Sequence, residues 1–539
     1  MRTFLEKTAF LKTAAALAVA AAILLTGILS GCRGGTDLPA APDPIDDNYR
    51  VVYQIFVGSF SDSDGDGTGD LRGIINRMDY LNDGDVNHGN DLGVQLLWLS
   101  PIFNSPTYHK YDTVDYYKID PAFGTEDTLK ELIELCHGRN VKIILDVALN
   151  HTSTVCAWFQ KFLAAHNSGD TEDPYYNWYS WADADGRKGG VRYAKLGKTG
   201  EYYECNFDDA MPELNYDVPE VREAMFDVCR YYLELGIDGF RFDAAKYIYY
   251  GETDRNVSYW KELLGKLREV KQDVYVVGEV WSGNSEIVTY YDALNCFDFT
   301  AATADGMIAA AANGKNGQID NYTKYIAAFL EQIKTGREDS MYQPFIANHD
   351  MDRAAGFITV TTGAAFMGAN LLLLGPGSPV IYYGEEIGMK GSRGAANTDA
   401  NRRLAMLWGD GDTVKDPLGS TFDSKKQVNG TVSEQIKDKN SLLRYYSKVI
   451  SIRGKYPAIA RGEYSQIDFE SNFTGGFDVV YNGEHIGIIH NTGNVETEVD
   501  LSQYIGFGFT ELLDCVGTGD AKLSGSMLTL GPKTSAILG

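Results

Sequence analysis

Positive charge is in short supply in this chain of 539 residues, where 48 Lys and Arg stand against 74 Asp and Glu for a formal net charge of −26. A phosphate backbone needs a basic face, so no nucleic-acid partner is expected. Cysteine is equally sparse: seven occur, and none forms a Cys-x-x-Cys pair, which removes the common zinc and dithiol redox motifs. Cys136 and Cys229 fall within helical-looking runs and read as small buried hydrophobes. What is abundant is apolar and aromatic: 44% hydrophobic residues with 34 Tyr, 24 Phe and 7 Trp, a composition that excludes disorder for the bulk of the chain. The length exceeds what one ordinary core uses, so one large α/β domain with smaller companions is expected.

The first residues read as an address. Arg2, Lys7 and Lys12 precede an uncharged stretch, rich in Ala, Leu and Ile, that runs to Cys32. That is the pattern of an export signal. It ends Leu29-Ser30-Gly31-Cys32, which resembles the bacterial lipobox, where cleavage before the Cys and lipidation of its sulfur anchor the mature chain. The alternative is an uncleaved anchor helix, since about 20 residues suffice to span a bilayer core. The expected layout is a signal peptide over 1–31, a flexible tether over 32–49, and a mature protein on the extracellular face of a bacterial membrane.

Short apolar runs alternate with longer amphipathic stretches, and eight candidate strands fall at 51–57, 94–99, 141–147, 237–243, 274–279, 296–299, 344–348 and 379–382. Continuous apolar runs suit parallel strands buried on both faces, joined by right-handed helical crossovers. The fold class is therefore α/β, a (β/α)8 TIM barrel, over 50–151 and 206–455. The gap between the third and fourth strands is too long for one helix, so 152–205 is expected to be an inserted domain. Its aromatic cluster at 175–181 could pave a sugar cleft or form a local core. From 456 to 539 short alternating strands with Asn-Gly and Thr-Gly turns predict a C-terminal antiparallel β-sandwich.

Barrel enzymes gather reactive groups where strands end. Here those ends are acidic: Asp146 through His151 after the third strand, Arg241 and Asp243 after the fourth, Glu279 after the fifth, and Asn348-His349-Asp350 after the seventh. Arg241 and Asp243 are two apart on a strand and share a face, which favours an ionised carboxylate fit to attack. Glu279 is flanked by Val280 and Trp281, an environment that suits a general acid. Two carboxylates so tuned are what a retaining glycosidase requires, and Asp350 could steady the cationic transition state.

In these four stretches, in their order and spacing, the sequence resembles the α-amylase superfamily of glycoside hydrolases. The resemblance implies Asp243 as nucleophile, Glu279 as acid/base and Asp350 as transition-state stabiliser, with Arg241, His151 and His349 around the reacting glucose. Tyr111, within His109-Lys110-Tyr111-Asp112-Thr113, is similar to the family's stacking floor. Lys246 matches the family's basic residue after the nucleophile, but Tyr247 replaces the His that commonly follows. Glu213, in Met211-Pro212-Glu213-Leu214-Asn215, stands where Asp is usual. The loop from Asp62 to Asp70 resembles the structural calcium loop of the neopullulanase and oligo-1,6-glucosidase branches, implying Ca2+ held by Asp62, Asp64, Asp66, Asp70 and the Thr68 carbonyl.

The implied protein is an extracellular, lipid-anchored, monomeric α-amylase acting on internal α-1,4 bonds of an α-glucan. A neopullulanase or cyclomaltodextrinase-like hydrolase or transglycosylase is the alternative, and a noncatalytic glycan-binding lipoprotein a more distant one.

Overall fold

The computed structural model describes residues 46–85, 91–504 and 508–539. The leader and Cys32 lie outside the described residues, and no described helix is long and apolar enough to cross a membrane.

Seven parallel strands form one curled sheet, in the order Asn295–Cys296, Tyr275–Gly278, Gly239–Phe242, Lys142–Val147, Leu96–Leu99, Val52–Ile55 and Val380–Tyr382. The two edges meet across the expected seventh strand at 344–348. That segment is held by single parallel bridges rather than a ladder, Phe297 to Gln343 and Phe345 to Val380, with Val380 N–H donating to the Pro344 carbonyl at 2.9 Å. Pro344 has no N–H to return, which explains why the barrel closes here without a regular ladder.

Alternation along each strand sorts side chains to two cores. Val52, Leu96, Trp98, Ile144, Tyr275 and Val277 point inward and pack together inside the barrel. Tyr53, Leu97, Ile143 and Val276 point outward against the helices. The crossover helix Glu126–Gly138 shows why such stretches are helical: Thr125 caps it by accepting the Thr128 N–H, and Leu129, Leu132, Ile133 and Cys136 form one buried stripe. Cys136, Cys156, Cys205, Cys229 and Cys296 are buried free thiols, matching the packing role expected of Cys136 and Cys229.

Between the third and fourth strands the chain leaves the barrel. It forms the helix Ala157–Ser168 and a three-stranded antiparallel sheet, Trp181–Ala182, Glu201–Glu204 and Tyr193–Leu196. Pairing continues past residue 205, because His151 bridges Glu213 and Tyr179 bridges Leu214. The aromatic cluster is this unit's core: Tyr179 packs edge-on to Phe159 at 5.1 Å, and Tyr176 stacks on His166 at 4.0 Å.

The C-terminal region holds a five-stranded and a three-stranded antiparallel sheet. The strands Thr474–Tyr481 and Glu484–Asn491 are joined through Asn482 and Gly483, both at positive φ, the conformation a tight hairpin needs. Ile489, Val499, Leu528 and Ala536 share the core between the sheets. The region is tied to the barrel by Lys533, whose buried Nζ donates to the carbonyls of Ala312 at 2.9 Å and Thr492 at 2.6 Å.

Candidate active site

The inward-facing side chains change character along the barrel axis. Val52, Leu96 and Ile144 lie in the apolar layers, whereas Gln54, Asp146 and Arg241 stand nearer the C-terminal ends of their strands. Asp146 and Arg241 are register partners on adjacent strands. Arg241 is fully buried and works as a three-way clamp. Its Nη1 lies 2.7 Å from Asp146 Oδ1 and 2.6 Å from Asp243 Oδ1, while Nη2 lies 3.2 Å from Glu279 Oε1. Asp146 also accepts from Trp98 Nε1 at 3.1 Å and from the Tyr111 hydroxyl at 3.0 Å. One planar cation thus fixes the relative placement of the two carboxylates that end the fourth and fifth strands.

Burial pushes the Glu279 carboxyl up; Arg241 opposes this, Asp243 and Asp350 reinforce it, and the result is about 8. Glu279 therefore carries a proton at neutral pH, the state required of a general acid. Its Oε2 accepts the Ala244 N–H at 3.2 Å, a donor aimed there by the left-handed backbone of Ala244, at φ 49°.

Asp350 is tuned the other way. Burial disfavours its charge, but the His349 ring and the Arg403 and Arg241 guanidiniums outweigh that and hold it well below the ordinary carboxylate range. Arg403 Nη2 lies 2.7 Å from Asp350 Oδ1, and His349 Nε2 lies 3.1 Å from Oδ2. Burial lowers His349 to about 3, so the ring is neutral. Gln54 Nε2 donates to its Nδ1 at 2.7 Å, which leaves the proton on Nε2, facing Asp350 and the Tyr111 hydroxyl at 2.5 Å. The Tyr111 ring stacks on His349 at 5.5 Å with planes 6° apart.

These groups open into one cleft of about 1060 Å³ lined by Asp243, Glu279, Asp350, Tyr111, His151 and Lys246 among others. Every residue expected to be catalytic or substrate-binding is therefore on this cleft or, for Arg241 and His349, directly behind it. His151 is buried with its Nε2 lacking a partner among the described residues, a polar atom left for a ligand. Lys246 Nζ donates to the Trp281 carbonyl at 2.7 Å. Glu213 does not line the cleft; its Oε1 accepts the Asn206 N–H at 2.9 Å, and burial raises it to about 8.

Sequence reasoning missed Arg403, Gln54, Trp98 and Phe207, the last of which lines the cleft, and it gave Asp146 no role of its own. Asp146 was within reach, since it sits on an apolar strand where an unpaired charge cannot stand. Arg403 follows the last barrel strand with no local signal.

In the acidic loop, carboxylate oxygens of Asp62, Asp64 and Asp70 lie within 4.8 Å of one another. Such a hard oxygen set suits Ca2+. Asp66 is not in this group: its Oδ1 instead accepts the Thr68 N–H at 2.6 Å, because alternate acidic residues in a tight loop also serve as local turn acceptors. Asp70 caps the helix Leu71–Asn76 as well, accepting the Gly73 N–H at 2.7 Å.

A barrel with acidic strand ends and an arginine clamp defines a class, the carboxylate-dependent glycoside hydrolases. Comparison with known proteins narrows it. Residues 54–462 match the family model described as alpha amylase, catalytic domain. The chain is 33% identical over 496 residues to "Alpha-amylase 3" of Dictyoglomus thermophilum, covering 90% of this chain and 92% of that protein. It is 30% identical over 461 residues to a "4-alpha-glucanotransferase" of Thermotoga neapolitana, covering 83% and 96%. Among solved structures, Eubacterium rectale Amy13B superposes with a TM-score of 0.85 at 33% identity, covering 92% of this chain and 96% of that one. The chain belongs to the α-amylase family, and it is a retaining glycoside hydrolase of the α-amylase type.

Proposed function

We propose that this protein is an exported, lipid-anchored α-amylase that cleaves internal α-1,4-glucosidic bonds of starch and maltooligosaccharides with retained anomeric configuration. The observation that carries the reading is the Arg241 clamp, which holds Asp243 and Glu279 on one guanidinium while Asp350 faces the same cleft on Arg403. The protonated Glu279 gives its proton to the leaving glycosidic oxygen as Asp243 attacks the anomeric carbon to form a covalent glucosyl ester. Asp350, kept ionised, balances the positive charge that develops on the sugar ring. Water then attacks the anomeric carbon from the opposite face, Glu279 takes its proton, the bond to Asp243 breaks with the electron pair returning to the carboxylate, and two inversions give net retention. Tyr111 supplies a flat ring beside the reacting sugar, and His151 Nε2 a free polar atom for one of its hydroxyls.

Calcium fits the group formed by Asp62, Asp64 and Asp70, where it would neutralise crowded carboxylates and brace the loop. The reaction needs no metal-activated water. The lipid anchor and the extracellular location rest on Leu29-Ser30-Gly31-Cys32. Mass spectrometry of the mature amino terminus checks it: diacylated Cys32 is expected, and an unmodified Cys32 or a start well downstream refutes the anchor.

The test of the chemistry is proton NMR of fresh amylose digests, where the α-anomer appears first. Asp243→Asn and Glu279→Gln each lose at least about a thousandfold in rate with the fold intact, and their effects do not add. A β-anomer burst would overturn the covalent mechanism. Faster cleavage of pullulan or a cyclodextrin than of amylose would move the protein to the neopullulanase type.

A further inference from the structure

The described chain enters the barrel at one face, and the cleft opens at the other. Residues 47–50 lie across the N-terminal ends of the strands. Asp47 pairs with Arg461 at 2.6 Å, Asn48 accepts from Lys142 Nζ at 2.8 Å and donates to the Asp273 carbonyl at 3.2 Å, and Arg50 Nη1 donates to the Asn140 carbonyl at 2.7 Å. Lys142 begins the third strand, and Asp273 stands just before the fifth. Asp243 and Glu279 follow strand ends, so the cleft they line lies on the opposite face. The helix Thr253–Val270 runs back between the two faces, and its 18 residues set them about 27 Å apart.

The faces also differ in charge. Seven carboxyl groups line the cleft against four Lys and Arg, and the acidic loop of Asp62, Asp64 and Asp66 follows the first strand on the same side. On the N-terminal face the exposed acids Asp79, Asp273 and Asp339 are each matched, at 2.7 Å by Arg139, 2.9 Å by Lys142 and 3.0 Å by Arg337. An anionic bilayer repels a chain of net charge −26, and that repulsion acts within a Debye length of about 8–10 Å. A face whose carboxylates are paired comes that close at little cost, whereas the cleft face does not.

We infer that the N-terminal face of the barrel is laid against an anionic lipid surface, with the cleft turned outward, and that the pairing of its charges favours this orientation. The inference rests on the lipid anchor proposed above. About 15 residues lead from Cys32 to Asp47, a length of chain that reaches at most about 50 Å. That reach exceeds the separation of the faces, so length alone leaves the orientation open; the entry point and the charges both select the N-terminal face. A glucan too large to slip beneath the protein then meets the cleft from solution.

The experiment uses the full chain, processed in a bacterial host and reconstituted into vesicles of phosphatidylethanolamine and phosphatidylglycerol, with a donor dye at Val270→Cys or Leu418→Cys and an acceptor dye in the headgroups. Val270 and Leu418 are exposed, while Cys136, Cys156, Cys205, Cys229 and Cys296 are buried. Val270 ends its helix on the N-terminal face; Leu418 is on the cleft side, three residues beyond Lys415, whose N–H donates to the Gly67 carbonyl of the acidic loop at 2.9 Å. Both labelled variants should turn over maltotetraose like the parent. Energy transfer should be at least about twofold stronger from Val270→Cys, given about 27 Å between the faces. The ratio should be larger than in vesicles of phosphatidylcholine, where the entry point acts without the charges; a ratio no larger overturns the role given to charge. Equal transfer from the two sites in the anionic vesicles, or stronger transfer from Leu418→Cys, overturns the inference alone. Protein that stays in solution with an unmodified Cys32 overturns the lipid anchor and this inference with it.

Discussion

Arg241 carries more of this site than any carboxylate does. It is a buried cation whose partners are Asp146, Asp243 and Glu279, so removing it leaves three acidic groups crowded in a low-dielectric space. Arg241→Met should therefore destabilise the protein by about 3–5 kcal/mol, the usual cost of breaking a buried charge network from one side. A thermal melt reads this directly, and an unchanged midpoint would contradict the clamp. The second residue-scale prediction concerns pH. Glu279 is raised to about 8, so its proton is present below that pH and lost above it. The alkaline limb of kcat/KM should fall near pH 8, and Glu279→Gln should abolish that limb in its residual activity. Asp350 lies far below neutrality and contributes no ionisation there.

At the scale of elements, the functional strand ends were legible because several polar endings recur in order after apolar runs, although a single strand-end carboxylate is more often a cap or turn residue, as Asp298 is here, accepting the Thr300 and Ala301 N–H groups. Asp243, Glu279 and Asp350 could each be placed on that basis. The irregular seventh strand was less legible: its apolar residues invite a strand, while the missing N–H of Pro344 forbids a full ladder. The cluster at 175–181 could not be assigned from composition, since a sugar platform and a small core demand the same rings. Packing on Phe159 and His166 decides for the core. Arg403 was out of reach because its partners Asp350 and His349 lie more than fifty residues away in the chain.

The calcium loop makes the element-scale prediction. Asp70 both belongs to the metal group and caps the following helix, so ion binding and helix stability share one side chain. A chelator should lower the melting temperature of the parent protein, and the shift should vanish in Asp64→Ala. Asp70→Ala should cost an additional ~1 kcal/mol even in chelator, from the lost cap. A chelator shift that persists in Asp64→Ala would place the ion elsewhere.

Across the whole molecule, buried polar contacts help to join the barrel to the C-terminal sheets. Lys533 donates to carbonyls on both sides, and Asn370 Nδ2 donates to Ser535 Oγ at 2.8 Å and to the Val516 carbonyl at 3.2 Å. Lys533→Met keeps the length of the side chain but strands two buried acceptors, and should lower stability by about 2–4 kcal/mol. Denaturant titration checks this, and a loss within about 0.5 kcal/mol, the level of an ordinary surface change, would mean the tie is not a mechanical one.

The open wall of the cleft is assembled from separate pieces, Phe207 from the excursion and Trp281 from the barrel rim, while the acid clamp stands on the barrel strands and the residues immediately after them. Inherited change can therefore act on one without the other. A descendant could swap Phe207, or resize the excursion that presents it, and alter what the cleft accepts. The apparatus that breaks the bond would pass through such tinkering untouched, which gives this architecture a cheap route to new product mixtures.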